Sequence, residues 1–373
     1  METEIIKLDS LQPDLKKISK AAEELYLGAL VGIPTETVYG IACRVKDDSL
    51  ARLDALKNRS VDKFYTLHIG RKDDVEKFVP DIGLKAQKLI ENLWPGPLTI
   101  VFELSDEEAE KQKNSLDAET FRNLYKNNSI GIRCPSNKIA SLLLQAAKCS
   151  IVAPSANFGG KKPATDAEAV LEHFSGRIEI LLDGGFCEYK QSSTVVKVGK
   201  LDLEILREGV FKKDELEALS AIKFLFVCTG NTCRSPMAEG IFGKYWSKKL
   251  NCDVDLLEKK GYKILSAGTM GIKNLSATPE AINACQARGV DLKAHKSRAL
   301  TQQLVDESDY IFVMGQEHFR RVLDLAPQAK DKCRLLAGNR EIADPIGQSQ
   351  SVYDNCADQI EKAIKKIVGG FKI

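Results

Sequence analysis

The 373-residue sequence lacks an apolar run approaching the length that a membrane-spanning helix needs, about 18 residues. It also lacks an excess of one charge, because 54 Lys and Arg stand against 52 Asp and Glu, a net charge of +2. This balance argues against a protein that binds nucleic acid through its overall charge, although a local basic patch stays open. The first 20 residues mix charged and apolar positions without a signal-peptide core. We therefore expect a cytoplasmic protein with no membrane partner.

Closely spaced metal ligands are also missing. None of the ten cysteines forms a C-x-x-C pair, and the four histidines show no metal-ligand spacing. This argues against a zinc framework, and we predict no protein-bound metal. In a reducing compartment, most of the cysteines should be small buried residues unless a special local setting singles one out.

The length predicts two domains, at about 100–200 residues per domain. Residues 211–220 contain no Gly or Pro and indicate a short polar helix, and an apolar, β-rich run follows at 222–228. We therefore place domains at 1–210 and 222–373, with a linker at 211–221. Strand-like runs such as Leu98–Glu103 alternate with helical ones such as Leu84–Leu93, which predicts an α/β or α+β sheet domain. In the second half the alternation is regular and predicts a doubly wound parallel sheet with its site at the carboxyl ends of the strands.

The segment CTGNTCRS, residues 228–235, lies between a predicted buried strand and a predicted helix. A loop in that position points backbone N–H groups inward at the positive end of the helix dipole, which favours a phosphate dianion. The same field acts on Cys228 at the start of the loop, so we expect the pKa of Cys228 to be lowered, which favours the thiolate. Arg234 can bind two phosphate oxygens, and Ser235 can donate to the thiolate.

Phosphoryl transfer through a thiophosphate also needs an acid for the leaving group. Asp344, directly before a proline, is the candidate, although an Asp-Pro pair by itself is usually a turn. Cys233 is either a plain loop residue or a partner that forms a reversible disulfide with Cys228.

Residues 222–360 resemble the low-molecular-weight protein tyrosine phosphatase family, through CTGNTCRSPMAEG and then SAGT, H-x-S-R, DYIFVM and Asp-Pro in that order. The resemblance implies a four-stranded, doubly wound parallel sheet. It also implies that Cys228 is the nucleophile, Arg234 the phosphate ligand and Asp344 the general acid. The remaining phosphate-loop residues would be Thr229, Gly230, Asn231, Thr232, Cys233 and Ser235.

Two departures from that family bear on the substrate. Ile346 and Gly347 follow the Asp-Pro pair where phosphotyrosine members have aromatic residues, and Thr232 replaces a larger aliphatic residue. CTGNTCR is similar to the protein arginine phosphatase branch, so we predict phosphoarginine, with phosphotyrosine or a small phosphoester as the alternative. Arsenate reductase uses the same loop but needs two more closely spaced cysteines, whereas Cys285 and Cys333 are far apart, so we disfavour it.

The first domain contains a set of polar clusters beside Gly and Pro. They are PTETVYG at 34–40, K-x-R at 57–59, PGPLT at 95–99, G-I-R at 131–133, APSAN at 153–157 and STVV at 193–196. Each alone indicates a turn, a solvated face or a loop. Together they suggest a groove for a polyphosphate and a small carboxylate. Since there is no G-x-x-x-x-G-K-[ST] loop, any nucleotide must be held in another way.

These motifs, in this order over about residues 8–210, resemble the YrdC/Sua5 family. The resemblance implies a twisted α/β sheet and synthesis of threonylcarbamoyl-AMP from threonine, bicarbonate and ATP, with release of pyrophosphate. ATP would be a substrate accompanied by Mg²⁺, and tRNA or the tRNA threonylcarbamoyl transferase machinery would be candidate partners. By motif, threonine would be held by Thr35, His68, Arg133 and Ser193. ATP would be held by Lys57, Arg59, Lys63, Ser129, Ser155, Asn157 and Arg207.

We therefore predict a bifunctional enzyme that makes threonylcarbamoyl-AMP in its first half and dephosphorylates a phosphoprotein in its second. The competing interpretation is that the first half is a degenerate nucleotide or RNA sensor that regulates a phosphatase. Retained basic residues argue against the sensor, whereas Ser60 and Phe64, where the family commonly has other residues, argue for it.

Overall fold

A computed structural model describes residues 2–58 and 65–373 of the chain. The chain divides into two compact units, Met1–Ser220 and Ala221–Ile373, and each contains one sheet. The first sheet is mixed and the second is parallel, so the predicted α/β architecture is confirmed in both halves. No helix formed by the described residues combines the length and apolarity that a membrane span requires.

The described strands of the first unit form a ten-stranded sheet of order β1-β8-β2-β3-β7-β4-β6-β5-β9-β10. The sheet contains both parallel pairs, such as β4 and β6, and antiparallel pairs, such as β5 and β6. The strands are β1 (Glu4–Lys7), β2 (Val31–Ile33), β3 (Gly40–Arg44), β4 (Thr66–His68), β5 (Leu98–Glu103), β6 (Ser129–Arg133), β7 (Ile151–Val152), β8 (Ile180–Asp183), β9 (Thr194–Val198) and β10 (Leu203–Arg207).

Helices cover both faces of this sheet. In β3, Ile41 and Cys43 contribute to one hydrophobic cluster, whereas Ala42 between them contributes to another, as the alternation of a strand requires. The helices are α1 (Leu15–Leu27), α2 (Asp47–Lys57), α3 (Leu84–Leu93), α4 (Asp106–Ser115), α5 (Ala118–Leu124), α6 (Lys138–Ala146), α7 (Ala167–Phe174) and α8 (Lys213–Ser220).

Local sequence determines where α1 begins and ends. The Asp14 carboxylate accepts from the backbone N–H groups of the first turn, and Gly28 ends the helix with a φ of 108°, a conformation that suits glycine. Its buried residues recur at helical spacing, at 18, 21, 22 and 25, so one face packs into the core.

Helix α8, which the sequence placed in a linker over 211–221, belongs to the first unit and packs against α3 and β10. The domain boundaries 1–210 and 222–373 stay predictions.

The second unit is a doubly wound sheet of four parallel strands in the order β12-β11-β13-β14. The predicted fold of this half is therefore confirmed. Its strands are β11 (Ile222–Cys228), β12 (Tyr262–Gly268), β13 (Tyr310–Val313) and β14 (Cys333–Leu335). Its helices are α9 (Arg234–Leu250), α10 (Pro279–Gln286), α11 (Gln302–Glu307), α12 (Gln316–Leu325) and α13 (Gln350–Gly370).

Strand β11 lies at the centre of this sheet and is buried on both faces. Phe224 and Phe226 pack against Phe242 of α9, while Leu225 and Val227 pack into the cluster on the opposite face. The chain leaves β11 for β12 on one side and later reaches β13 on the other, so the carboxyl end of β11 is a topological switch point. Such points are where doubly wound sheets bind ligands.

Candidate active sites

The first unit contains a cavity of about 160 Å³ at the ends of its central strands. His68 and Arg133 are opposite each other in the parallel pair β4 and β6, and Thr99 is opposite Arg133 in the antiparallel pair β5 and β6. This register brings residues distant in sequence to one edge of the sheet. Six predicted site residues line the cavity: Thr35, His68, Arg133, Ser155, Ser193 and Arg207.

Arg133 is buried and held by a carboxylate that the sequence did not single out. Its Nη2 donates to Glu36 Oε1 at 2.6 Å and to Thr37 Oγ1 at 2.6 Å. The other Glu36 oxygen accepts from the backbone N–H of Ser136 at 3.0 Å, where α6 begins. Arg133 Nε has no hydrogen-bond partner among the described residues, so one buried donor is available beside the cavity. Glu36 lies inside the PTETVYG motif, which was the only signal for it in the sequence.

His68 presents a neutral imidazole. Its Nδ1 lies 3.1 Å from the carbonyl oxygen of Thr66, which can only accept, so Nδ1 carries the proton and Nε2 is an acceptor. Burial, together with the charge of Arg133, lowers the pKa of His68 to about 3. Nε2 is buried and has no partner within the described part of the chain. A ligand hydroxyl or amine could therefore donate to it.

Arg207 supplies a second guanidinium to the lining of the cavity. Its Nη2 donates to the carbonyl of Ser193 at 2.8 Å and to Ser193 Oγ at 2.9 Å, and that hydroxyl lies 3.1 Å from Thr99 Oγ1. Burial and the charge of Arg133 lower the pKa of Arg207, which places the two cations within each other's field. Two guanidiniums that repel each other favour an anion between them.

Of the other predicted ATP ligands, Lys57, Asn157 and Ser129 fall within the described residues, and none of the three lines the cavity. Lys57 Nζ donates to the carbonyls of Ser155 and Asn157, the latter at 2.6 Å, and so ties down the APSAN loop. The Asn157 side chain donates to the carbonyl of Lys161, four residues further along the chain, at 2.7 Å. Ser129 lies at the opposite end of β6 from Arg133 and donates to the carbonyl of Lys126 at 2.8 Å. Arg59 and Lys63, like Ser60 and Phe64, lie outside the described residues.

In the second unit, residues 229–233 join the end of β11 to the start of α9. Asn231 holds this loop: its Nδ2 donates to Ser235 Oγ at 2.9 Å and Ser266 Oγ at 2.8 Å, and its Oδ1 accepts from Arg298 N at 2.8 Å. Gly268 packs beneath it, where a Cβ would lie 2.8 Å from the carbonyl oxygen of Thr229. The loop is therefore fixed on both sides before any ligand enters.

The Cys228 sulfur lies 2.9 Å from Ser235 Oγ. Burial raises the pKa of the Cys228 thiol, while the hydrogen bonds of Ser235 and the charge of Arg234 act to lower it. The sequence predicted a net lowering, and for this structure that prediction is wrong. Desolvation, which depends on the tertiary packing around the strand end, outweighs these hydrogen bonds and the charge of Arg234.

Arg234 lies beside the predicted acid. Its Nη2 forms an ion pair with Asp344 Oδ2 and donates to Thr229 Oγ1 at 3.0 Å, while Nη1 donates to the carbonyl of Ile342 at 3.1 Å. The Arg234 side chain is 5% exposed and that of Asp344 37%, so the acid faces the entrance. Nucleophile, cation and acid are thus gathered at one loop.

His318 is a neighbour of this loop that the sequence did not indicate. Its Nε2 lies 2.9 Å from Thr229 Oγ1, and burial and the charge of Arg234 lower its pKa. The two contacting residues lie 89 positions apart in the chain, so no local sequence pattern predicts this contact.

Cys233, the predicted redox partner, is buried and its sulfur lies 3.3 Å from the Tyr353 hydroxyl. All ten cysteines fall within the described residues and all are free thiols. The disulfide between Cys228 and Cys233 stays a prediction. Burial raises the pKa values of Cys285 and Cys333 to about 12, which does not suit the resolving thiols of an arsenate reductase. Within residues 2–58 and 65–373, no His, Cys, Asp and Glu side chains cluster as a metal site.

Two protein-family models match the chain, one in each unit. The Sua5/YciO/YrdC model, described as telomere recombination, matches residues 23–209. The model described as low molecular weight phosphotyrosine protein phosphatase matches residues 223–372.

Individual relatives divide in the same way. Threonylcarbamoyl-AMP synthase of Pyrococcus abyssi is 33% identical over 202 residues, 54% of this chain and 56% of that protein. Protein-arginine-phosphatase of Bacillus subtilis is 30% identical over 155 residues, 40% of this chain and 95% of that protein. Low molecular weight protein-tyrosine-phosphatase Etp of Escherichia coli is 31% identical over 151 residues, 39% of this chain and 93% of that protein. The chain thus spans little more than half the length of the synthase it matches.

Proposed function

The chain belongs to the Sua5/YciO/YrdC family through its first unit and to the low molecular weight phosphatase family through its second, and from this premise we propose a bifunctional enzyme. The first unit joins threonine, bicarbonate and ATP into threonylcarbamoyl-AMP and releases pyrophosphate. The product serves the threonylcarbamoyl modification of tRNA adenosine, with tRNA or the transferase machinery as partner. The second unit removes phosphate from a cytoplasmic phosphoprotein, with phosphoarginine preferred.

The synthase proposal is carried by the cavity between Arg133 and Arg207. Threonine and ATP bring a carboxylate and phosphates, and the guanidiniums of the buried Arg133 and of Arg207 neutralise them without any covalent intermediate. We assign threonine to Thr35, His68, Arg133 and Ser193, with the neutral His68 Nε2 accepting from the threonine hydroxyl.

Ser155 and Arg207 would contact ATP, and Lys57 and Asn157 would hold the loop on which Ser155 sits. ATP enters as substrate with Mg²⁺ on its phosphates. The protein's contribution is positioning and charge neutralisation, which need many donors and no nucleophile. Arg59 and Lys63 stay predictions from the sequence.

Pyrophosphate release tests the synthase. The full chain, given ATP, bicarbonate and threonine, should release pyrophosphate, and omission of threonine should stop it. Arg133→Ala should abolish this release, whereas Lys20→Ala, which removes an exposed ion pair with Glu4, should not change it. Release that does not depend on threonine would leave the first unit as a nucleotide or RNA sensor.

The phosphatase proposal is carried by the arrangement of Cys228, Arg234 and Asp344 around one loop. Cys228 first loses its thiol proton to solvent, and the thiolate attacks phosphorus in line while the bond from phosphorus to the leaving nitrogen or oxygen breaks. Asp344, protonated once Arg234 binds the phosphoryl oxygens in its place, donates the proton that the leaving group takes. Asp344, now a carboxylate, takes a proton from the water that breaks the S–P bond and releases phosphate. Arg234 and the loop N–H groups bind the phosphoryl oxygens.

Substrate choice rests on Thr232 and on the absence of an aromatic wall at Ile346 and Gly347. A hydroxyl at the loop rim can contact a guanidinium, and an aromatic wall would favour a flat phenol ring. The second candidate is phosphotyrosine, since the tyrosine phosphatase relative is as similar as the arginine phosphatase. Hydrolysis of phosphoarginine and phosphotyrosine peptides by wild type and Thr232→Ile decides between them. Wild type should prefer phosphoarginine and Thr232→Ile should lose that preference, while Cys228→Ser should hydrolyse neither.

A further inference from the structure

A groove of about 770 Å³ lies in the second unit between the outer half of α13 and the segment from Arg334 to Glu341. It lies at the edge of the sheet, because β14 is the last strand in the order. The catalytic mechanism uses none of the side chains that line it.

The groove is long and has an apolar floor. Leu335, Leu336, Ala363, Ile367 and Phe371 contribute its apolar surface. On α13 its lining extends from residue 359 to residue 370, about 16 Å at 1.5 Å per residue. That length matches about five residues of extended chain at 3.3 Å each. The shape therefore suits a short peptide segment.

The rim of the groove carries an excess of unpaired positive charge. Arg334, Arg340, Lys362 and Lys366 all line it, and none forms an ion pair with a carboxylate of the described residues. Glu341 is the acidic residue in the lining, and one of its oxygens already accepts from the backbone N–H of Gln316 at 2.9 Å. Four cations against one engaged carboxylate complement an acidic partner.

The lining of the groove is continuous in sequence with a segment that contacts the catalytic site. Glu341 directly precedes Ile342, whose carbonyl accepts from Arg234 at 3.1 Å, and Asp344 follows two residues later. The lining residue Glu341 is therefore only three positions from the acid that protonates the leaving group.

We propose that this groove docks an acidic segment of the phosphoprotein substrate, with apolar side chains on the floor and carboxylates on the basic rim. The inference rests on the phosphatase activity proposed above and names its substrate class: proteins whose phosphorylated residue lies next to an acidic, apolar-containing segment of about five residues.

The test compares two phosphoarginine peptides that differ only in a five-residue flanking segment, Glu and Leu alternating in one and Gln and Ser in the other. The enzymes are the full-length wild type and Lys362→Glu/Lys366→Glu. Wild type should have a kcat/KM about 10-fold higher for the acidic peptide, and the charge reversal should remove that advantage through KM. Hydrolysis of 4-nitrophenyl phosphate should not change, since the two lysines do not contact the catalytic loop.

A matched control is Lys259→Glu/Lys330→Glu, which makes the same charge change at two exposed lysines outside the groove. It should leave all three substrates unaffected. Equal kcat/KM for the two peptides in wild type, or equal losses in both double variants, would overturn the proposal.

A binding measurement separates this inference from the activity itself. Fluorescence anisotropy of the unphosphorylated acidic peptide with full-length Cys228→Ser should report binding that Lys362→Glu/Lys366→Glu weakens about 10-fold. If no phosphorylated substrate is hydrolysed but this binding persists, the proposed phosphatase activity is wrong and the proposed docking groove is supported. Displacement of the peptide by an equal concentration of ATP would identify a nucleotide as the occupant and overturn the proposal.

Discussion

Breaking the buried pair between Glu36 and Arg133 on one side should destabilise the first unit, and Glu36→Gln tests this. The Glu36 side chain is 3% exposed and that of Arg133 7%, so neither charge is compensated by solvent. Glu36 offers one oxygen to Arg133 and the other to the N–H of Ser136. Glutamine can keep one of these acceptors and turns a donor toward the other group. Breaking a buried pair on one side costs about 3–5 kcal/mol, and we expect about 3 kcal/mol because one acceptor survives.

Labelling of individual buried thiols measures this effect in each unit separately. Cys134 follows Arg133 and is 0% exposed, while Cys333 lies in the second unit. A thiol reagent reaches Cys134 only when the first unit opens. Since each 1.36 kcal/mol of lost stability makes opening ten times more frequent, Glu36→Gln should speed the labelling of Cys134 about 150-fold. Labelling of Cys333, read from the same digest by mass spectrometry, should not change.

The control variant is Glu4→Gln, which removes the exposed ion pair with Lys20 and should change Cys134 labelling less than about 5-fold. If Glu36→Gln behaves like this control, the buried Arg133 does not need the Glu36 charge in the folded protein and the reasoning is refuted.

Three further predictions concern the titrating groups. In the folded protein His68 stays neutral until the pH approaches its pKa of about 3. In the unfolded chain the same histidine takes up a proton near pH 6.5. The first unit should therefore lose stability as pH falls below 6.5, by about 2 kcal/mol at pH 5. Hydrogen exchange of the β6 peptide at pH 7 and pH 5 should show this loss in wild type and a smaller one in His68→Gln; equal losses would contradict the assignment. Asp344→Asn should lower kcat by about 10²–10⁴-fold, because the general acid is lost. It should also tighten inhibition by inorganic phosphate, because the Asp344 carboxylate no longer competes with phosphate for Arg234. Weaker phosphate binding would contradict this competition. Ser235→Ala removes a hydrogen bond that lowers the pKa of Cys228, so the midpoint of the pH dependence of Cys228 alkylation by iodoacetamide should move upward, and an unchanged midpoint would exclude that role.

The elements that the sequence predicted well are those with a local cause. The helix Leu84–Leu93 and the strand Leu98–Glu103 have the predicted bounds, because apolar spacing and a Pro-Gly-Pro turn mark their ends. The phosphate loop was equally local, since Cys228, Arg234 and Ser235 lie within one strand–loop–helix unit. The order of strands in the ten-stranded sheet could not be predicted from the sequence, because it depends on strands as short as Ile151–Val152.

The parts of the two sites that the sequence missed depend on contacts between distant residues. Glu36 binds Arg133 across 97 positions, and His318 meets Thr229 across 89. The direction of the Cys228 pKa shift was also missed, because burial of the strand end is a property of the whole second unit. Motif spacing identifies which residues belong to a site, whereas their charge states follow from tertiary burial.

The most direct test of a chain with two separate active sites measures both activities on the same preparations of wild type, Arg133→Ala and Cys228→Ser. Threonine-dependent pyrophosphate release should be lost only in Arg133→Ala, and phosphopeptide hydrolysis only in Cys228→Ser. Wild type that releases no pyrophosphate in response to threonine, or a single substitution that abolishes both activities, would contradict the account.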